Sequence, residues 1–176
     1  MILQPLRTER IDLVPFSGEL AEEMYLGLQA PQIYEFIADS APPSVHWLRR
    51  RYERLANTGS PDGAEEWLNW ALRVRNSRMF VGYMQATVRE RVALVAYVLF
   101  PAAWGAGYAS EALNEVLRAL SDRGVNEFVA TVHTDNARSI RVLERARFTV
   151  REFRRNAETI RGISTDEYEF VRFAPR

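Results

Sequence analysis

The residues best suited to do chemistry are two glycines in the turn Trp104-Gly105-Ala106-Gly107-Tyr108. A continuous apolar run, Val92 to Leu99, leads into this turn, and an amphipathic helix pattern leaves it. Glycine lets a backbone approach a ligand closely and adopt the φ angles of a tight turn. The first turn of a helix adds unpaired N–H groups and the positive end of the macrodipole. A strand–turn–helix unit of this kind can hold a phosphate or pyrophosphate with backbone donors alone. The doubly wound dinucleotide fold needs a third glycine, and Leu113 stands near that place. A P-loop needs Gly-Lys-Ser/Thr, and the chain has no lysine. A plain connection, with the glycines serving geometry only, stays open on these residues alone. Asp135 or Asn136 stands where it would cap a helix through Ala137, Ile140 and Leu143, and Asn136 is read as the N-cap.

These residues must be positioned by elements that the hydrophobic pattern lays out. Ile11 to Val14 alternates as a strand and ends at Pro15, and Ser17 is placed to cap a helical stretch through Leu20, Met24 and Leu28. Pro31 to Ala38 carries a second short helix pattern. Ser44 begins a third, with Trp47, Leu48, Tyr52 and Leu55 on one face. Strands follow over Trp67–Val74, Met79–Val88 and Val92–Leu99; the last is apolar on both sides and expected at the centre of its sheet. Ala109, Ala112, Leu113, Val116, Leu117 and Leu120 recur with helical period, and Gly124 ends that helix. Phe128–His133 reads as a strand and Phe148–Phe153 as another, followed by a polar loop and a last strand from Glu167 to Phe173. Trp47, Tyr52, Trp67 and Trp70 are expected in the core. Helices early, antiparallel strands in the middle and one late strand–helix–strand unit predict a mixed α/β (α+β) domain over residues 1–176.

The chain carries 23 basic and 23 acidic side chains, so no net field draws it to nucleic acid. Every basic one is arginine. The absence of cysteine excludes disulfides, thiolate metal ligands and a cysteine nucleophile, and the single histidines His46 and His133 do not suggest a metal site. No apolar run is long enough to span a bilayer, and the first residues lack a signal-peptide layout. No membrane association and a cytoplasmic location are the expectation.

The segment Tyr97 to Ala112 contains Pro101-Ala102-Ala103-Trp104-Gly105-Ala106-Gly107-Tyr108-Ala109-Ser110-Glu111-Ala112. It resembles the acetyl-CoA signature of the GNAT superfamily of N-acetyltransferases. The form is that of its Rim-type acetyltransferases of ribosomal-protein N-termini, Pro-x-x-Trp-Gly-x-Gly-Tyr-Ala-x-Glu-Ala. Asn136 to Phe148 is similar to the same subgroup's Asn-x-x-Ser-x-x-Val-Leu-Glu-Lys-x-Gly-Phe, and Leu6 to Leu13 is similar to its first strand. Trp104 stands where the superfamily at large has Gln or Arg, as is usual in the subgroup. Arg147 replaces the glycine before Phe148.

The resemblance implies a single mixed, mostly antiparallel sheet of about seven strands with a splayed central pair, flanked by helices. It implies acetyl-CoA as co-substrate, its pyrophosphate on Gly105, Ala106, Gly107, Tyr108 and Ala109 beside Trp104. The pantetheine arm then runs along Val98, Leu99 and Phe100 in the manner of an added strand. Asn136 bonds that arm as well as capping its helix. Ser139 is implied near the sulfur, as proton donor to the leaving thiolate. One of Arg138, Arg141 and Arg145, taken as Arg141, is expected at a cofactor phosphate. Glu158 matches a glutamate proposed as base in one branch, with Glu35 and Asp39 as rivals. No metal is implied. The expected function is direct transfer of acetyl to a primary amine at a protein or peptide N-terminus. A small amine (polyamine, amino acid or aminoglycoside) or a non-catalytic acyl-CoA sensor is the alternative, in a monomer or homodimer.

Overall fold

Alternation along the strands gives the sheet two faces, and each face is covered differently. The computed structural model describes residues 3–56 and 59–175. Its strands are β1 (Leu6–Arg7), β2 (Ile11–Pro15), β3 (Glu66–Val74), β4 (Phe80–Arg89), β5 (Val92–Leu99), β6 (Glu127–His133), β7 (Thr149–Ile160) and β8 (Ile163–Phe173). Its α-helices are α1 (Ala21–Tyr25), α2 (Val45–Ala56), α3 (Tyr108–Asp122) and α4 (Ala137–Arg145). The eight strands form one sheet in the order β1-β2-β3-β4-β5-β6-β8-β7, one strand more than expected. On one face Leu113, Val116, Leu117 and Leu120 of α3 and Leu143 of α4 pack on Leu72, Met84, Val95 and Phe128. On the other, Met24 of α1 and Leu48 and Tyr52 of α2 pack with Leu28 on Ala71, Phe80 and Phe100.

Neighbouring strands are antiparallel except β5 and β6. That parallel pair is short: Val92, Ala93 and Leu94 meet Glu127, Phe128 and Val129, and the pairing goes no further. The expected splayed pair is therefore present. β5 lies between neighbours, as predicted, yet its second face is covered only toward its end, where Val98 packs on the α1–α2 core; Val92 and Leu94 on that face are 38 % and 47 % exposed.

Three further readings need correction. The polar stretch after Phe153 is no loop. It continues β7 and turns into β8 through Arg161 and Gly162, at φ 52° and 79°. Positive φ at both central residues is the mark of a two-residue hairpin turn matched to strand twist. As the sheet's outermost strand, β7 is wet on most of its length, so no apolar alternation announces it. Ser17 makes no side-chain cap; the segment starts as a 3-10 helix, Gly18–Leu20. Trp47 is 38 % exposed with the Arg51 guanidinium 5.3 Å from its ring, whereas Tyr52 and Trp70 are buried as expected.

The turn that leaves α4 keeps its left-handed residue although glycine is missing. Arg147 sits at φ 61°, and the amides of Arg147 and Phe148 bond the carbonyls of Glu144 and Leu143. This is the double bond pattern that closes many helices, usually on glycine. Arg147→Gly is expected to raise stability by up to about 1 kcal/mol, because the steric cost of a left-handed side chain outweighs the entropy that glycine loses on folding. Urea unfolding midpoints check it, and a lower midpoint for the variant refutes it.

Candidate active site

Where β5 and β6 part, the sheet has a slot. Past Leu94 and Val129 the edges that the two strands turn toward each other have no ladder partner. Two clefts meet there. The first, of about 420 Å3, is bounded by β5 (Tyr97, Val98, Leu99), by the glycine turn and by the first turns of α4. The second, of about 250 Å3, lies in the slot, between Ala96 and Tyr97 on one side and Thr131 and His133 on the other. Phe36 and Ile37 border it, and Glu158 and Glu167 line it from β7 and β8. Tyr97, Asn136 and Ser139 belong to both clefts.

The glycine turn is built to expose amides. After a short 3-10 helix, Pro101–Ala103, Gly105 and Gly107 take φ of 80° and 83°. The left-handed region costs an L side chain about 1–2 kcal/mol, so glycine belongs at both. Glu111 is the first amide of α3 to find a carbonyl, that of Gly107 at 3.1 Å. The amides of Tyr108, Ala109 and Ser110 are left without an intrahelical acceptor. The turn is also braced from behind. Glu111 accepts from the Thr8 hydroxyl (2.5 Å), the Arg10 amide (2.8 Å) and Arg10 Nε (2.7 Å). Arg10 Nη1 donates to the Ala106 carbonyl at 3.0 Å, and its guanidinium lies 4.9 Å from the Tyr108 ring centre.

Burial alone would raise the Glu111 pKa, but Thr8 and Arg10 outweigh it and hold the carboxyl below its ordinary 4.5. A lowered carboxyl pKa contributes stability that is present above about 4.5 and lost as pH falls through the folded-state value. Glu111→Gln should therefore lower the melting temperature at neutral pH and flatten its acid dependence. An unchanged acid slope in thermal scans from neutral to pH 3 refutes this.

Most residues expected at the cofactor site line the first cleft: Val98, Leu99, Trp104, Gly105, Gly107, Tyr108, Ala109, Asn136, Ser139 and Arg141. Phe100 and Ala106 do not. The Phe100 ring is buried in the α1–α2 core and its amide bonds the Val81 carbonyl, because the strand still pairs with β4 there. Ala106 turns its carbonyl back to Arg10. The Leu99 carbonyl already accepts from Trp104 Nε1 at 2.8 Å, which pins the indole at the cleft wall. Over that indole, 4.0 Å from its centre, lies the Arg138 guanidinium, with Glu35 3.8 Å from Arg138. Arg141 and Arg145 also line the cleft, and among the described residues neither has a carboxylate partner. Two free guanidinium groups beside exposed amides suit a ligand that carries phosphates.

Asn136 does cap α4: its Oδ1 accepts from the Ser139 amide at 3.1 Å, leaving Nδ2 free to donate into the cleft. Sequence reasoning missed the partner of Ser139. Tyr97 Oη lies 2.8 Å from Ser139 Oγ and 3.2 Å from the Ser139 carbonyl. Burial pushes the phenol up to about 12, with the Ser139 hydrogen bond pulling the other way. The available signal was Tyr97 itself, the one polar tip in the apolar run of β5. Glu158 lines the slot from strand β7 rather than from a loop, exposed, with Oε1 accepting from the Thr159 amide at 2.8 Å. Its rivals stand elsewhere: Asp39 is paired with Arg51 at 3.0 Å, and Glu35 faces Arg138. Glu167 lines the slot and was anticipated only as the start of a strand.

Comparison with known proteins agrees with this geometry. The model of the acetyltransferase (GNAT) domain matches residues 10–149. No curated protein matches the chain. A Salmonella typhimurium acetyl transferase that modifies the N-terminal serine of ribosomal protein L7/L12 superposes with a TM-score of 0.85 at 16% identity, covering 98% of this chain and 100% of its own. RimL, the ribosomal L7/L12 α-N-protein acetyltransferase, solved with coenzyme A, gives 0.85 at 17% identity, over 97% and 98% of the two chains. The microcin C7 self-immunity acetyltransferase MccE, solved with acetyl-CoA and AMP, gives 0.83 at 21%, over 95% and 94%. At such identities the likeness is one of fold. The family model spans most of the chain, with its glycine turn, split strands and capped α4 in place: the chain belongs to the GNAT acetyltransferase family and is an N-acetyltransferase that uses acetyl-CoA.

Proposed function

We propose that the acceptor is the α-amino group of a peptide or protein chain. The observation that carries this reading is the uncovered floor beside the slot. Val92 and Leu94 are 38 % and 47 % exposed, and Ala96 and Thr131, farther along, are exposed too. This mostly apolar track follows β5 into the slot between Ala96 and Thr131. It offers an extended chain a surface to lie on and an opening for its terminus. A small amine needs only an enclosed pocket. Two of the superposed enzymes are described as acting on the N-terminus of L7/L12, which supports the same reading.

Bound acetyl-CoA supplies an activated acetyl thioester. The amides of Gly105 and of Gly107 to Ala109 hold its pyrophosphate, and Arg141 and Arg145 add charge at its phosphates. The free edge of β5, at Tyr97 and the Leu99 amide, with Asn136 Nδ2, holds the arm where it passes the Val98 side chain. Ser139, backed by Tyr97, gives a proton to the leaving sulfur. A carboxylate lining the slot, Glu158 or Glu167, takes one from the amine. Thiol release tests the acceptor class, using peptides that begin with Ser or Ala against spermidine, free amino acids and an aminoglycoside. The peptides are expected to win in kcat/KM by about 100-fold. A small amine turned over as well as the peptides overturns the reading, and CoA binding without thiol release for any amine favours a sensor.

A further inference from the structure

We infer that Glu167 is the residue that receives the acceptor's ammonium group and takes its proton, with Glu158 tuning it from β7. The inference rests on the acetyltransferase reading above and assigns the base within it. Glu167 stands opposite His133 of β6 and Arg154 of β7 in the register of the sheet. Its neighbour Tyr168 packs toward the α3–α4 core, so Glu167 turns to the other face, the one that carries the exposed Leu94 and Thr131. There it lines the slot that Ser139 and Tyr97 border from the α4 side. An acyl group in the slot then has a proton donor on one side and a carboxylate on the other.

The charged groups around Glu167 leave it free for this task. Arg154 is bonded to Glu152 at 2.9 Å and to Glu169, and Glu169 is also held by Arg151. His133 Nδ1 accepts from the Asp135 amide at 3.0 Å, and its ring faces Phe36. Among the described residues no hydrogen bond or ion pair engages the Glu167 carboxylate. Glu158, in contrast, is exposed and bonded to its own chain. Burial first, then the charge of Glu158, raises the Glu167 pKa above its ordinary 4.5, against the opposing pull of Arg154 and His133. A carboxylate so raised is a stronger base toward an ammonium group and is better matched to work near neutral pH.

The protons balance with two acceptors. The ammonium loses its first proton to Glu167 and becomes an amine with a lone pair. The nitrogen bonds to the thioester carbonyl carbon, the carbon–sulfur bond breaks, and the electron pair leaves on sulfur. The adduct nitrogen then gives its second proton, directly or through water, to Ser139 Oγ, replacing the one that Ser139 delivers to sulfur, and Glu167 returns its own to solvent. Products are the amide, the free thiol and one proton.

The test is the pH profile of kcat/KM for the best peptide. Glu167→Gln is expected to lower kcat/KM by about 100-fold, to abolish the acidic limb and to leave the dissociation constant for CoA unchanged. Glu167→Asp recovers part of the rate. Glu158→Gln keeps the limb and moves it to lower pH, since one repelling charge is gone. An acidic limb that survives Glu167→Gln, or disappears in Glu158→Gln, overturns the assignment. A second measurement needs no turnover: CoA-loaded protein should bind a free-amino peptide more tightly than its N-acetylated form, and Glu167→Gln should erase that preference. If wild type keeps the preference but acetylates nothing, transfer is refuted and the ammonium site stands. If acetylation proceeds and Glu167→Gln matches wild type, the site is refuted and transfer stands.

Discussion

Replacing Gly107 by valine is expected to raise the dissociation constant for CoA by about 30-fold or more, or roughly 2 kcal/mol of binding. Two effects add. Gly107 sits at φ 83°, where a β-branched residue is strained, and its Cβ would come within 3.3 Å of Arg10 Nη2. The strain must be relieved by turning the first amides of α3, and the position of those amides is what the phosphates recognise. Gly105→Ala keeps the left-handed strain but removes the clash, since a Cβ at Gly105 (φ 80°) meets nothing within 4 Å. That open space is where the cradle would take its anion, so Gly105→Ala should also weaken CoA binding while barely changing packing. Calorimetry on variants with intact circular dichroism decides it. Unchanged affinity for Gly107→Val would place the cofactor elsewhere.

Ser139→Ala is expected to lower kcat by about 100-fold while CoA affinity stays near wild type. The structure adds Tyr97. A phenol has one proton, and Tyr97 Oη has two acceptors at Ser139, the carbonyl at 3.2 Å and Oγ at 2.8 Å. When the phenol donates to Oγ, the serine proton is free to point at sulfur; when it donates to the carbonyl, the serine proton is drawn back to the phenol. Tyr97→Phe therefore removes the partner that aims the serine proton. It should cost about 10-fold, and the double variant should be little worse than Ser139→Ala alone, since coupled groups fail together. With its pKa near 12, Tyr97 stays protonated across the working range and contributes no limb to the rate profile below pH 10. Full additivity of the two single losses would show that the hydroxyls act separately.

What sequence reasoning found was local. The glycine turn, the period of α3 and the Asn136 cap are each decided within a few residues, so types and spacing suffice. The misplaced features depend on partners far away in the chain. Tyr97 and Ser139 are 42 positions apart, and only the parallel approach of β5 toward β6 brings them together. The stretch that holds Glu158 has the composition of a loop because β7 presents mostly wet side chains on both faces, which leaves no period to detect. Residue type alone places Trp47 in the core, yet its ring is covered from outside by Arg51. The bare first half of one β5 face escapes for a similar reason. Val92 and Leu94 are apolar, and nothing in the strand itself says that no helix crosses over them.

The shortness of the β5–β6 ladder has a mechanical meaning. The sheet is two plates, β1 to β5 and β6, β8 and β7, riveted by three residue pairs at one end. At the other end no ladder joins them: α3 and α4 bridge both plates from one face, and contacts such as Tyr97 with Ser139 and Phe36 with His133 tie each plate to the segments beside the gap. A ligand lying in the gap with bonds to both unpaired edges would tie the plates together there. Affinity and rigidity then become linked quantities: amide exchange in β5 past Leu94 and in β6 past Val129 is expected to slow when CoA binds.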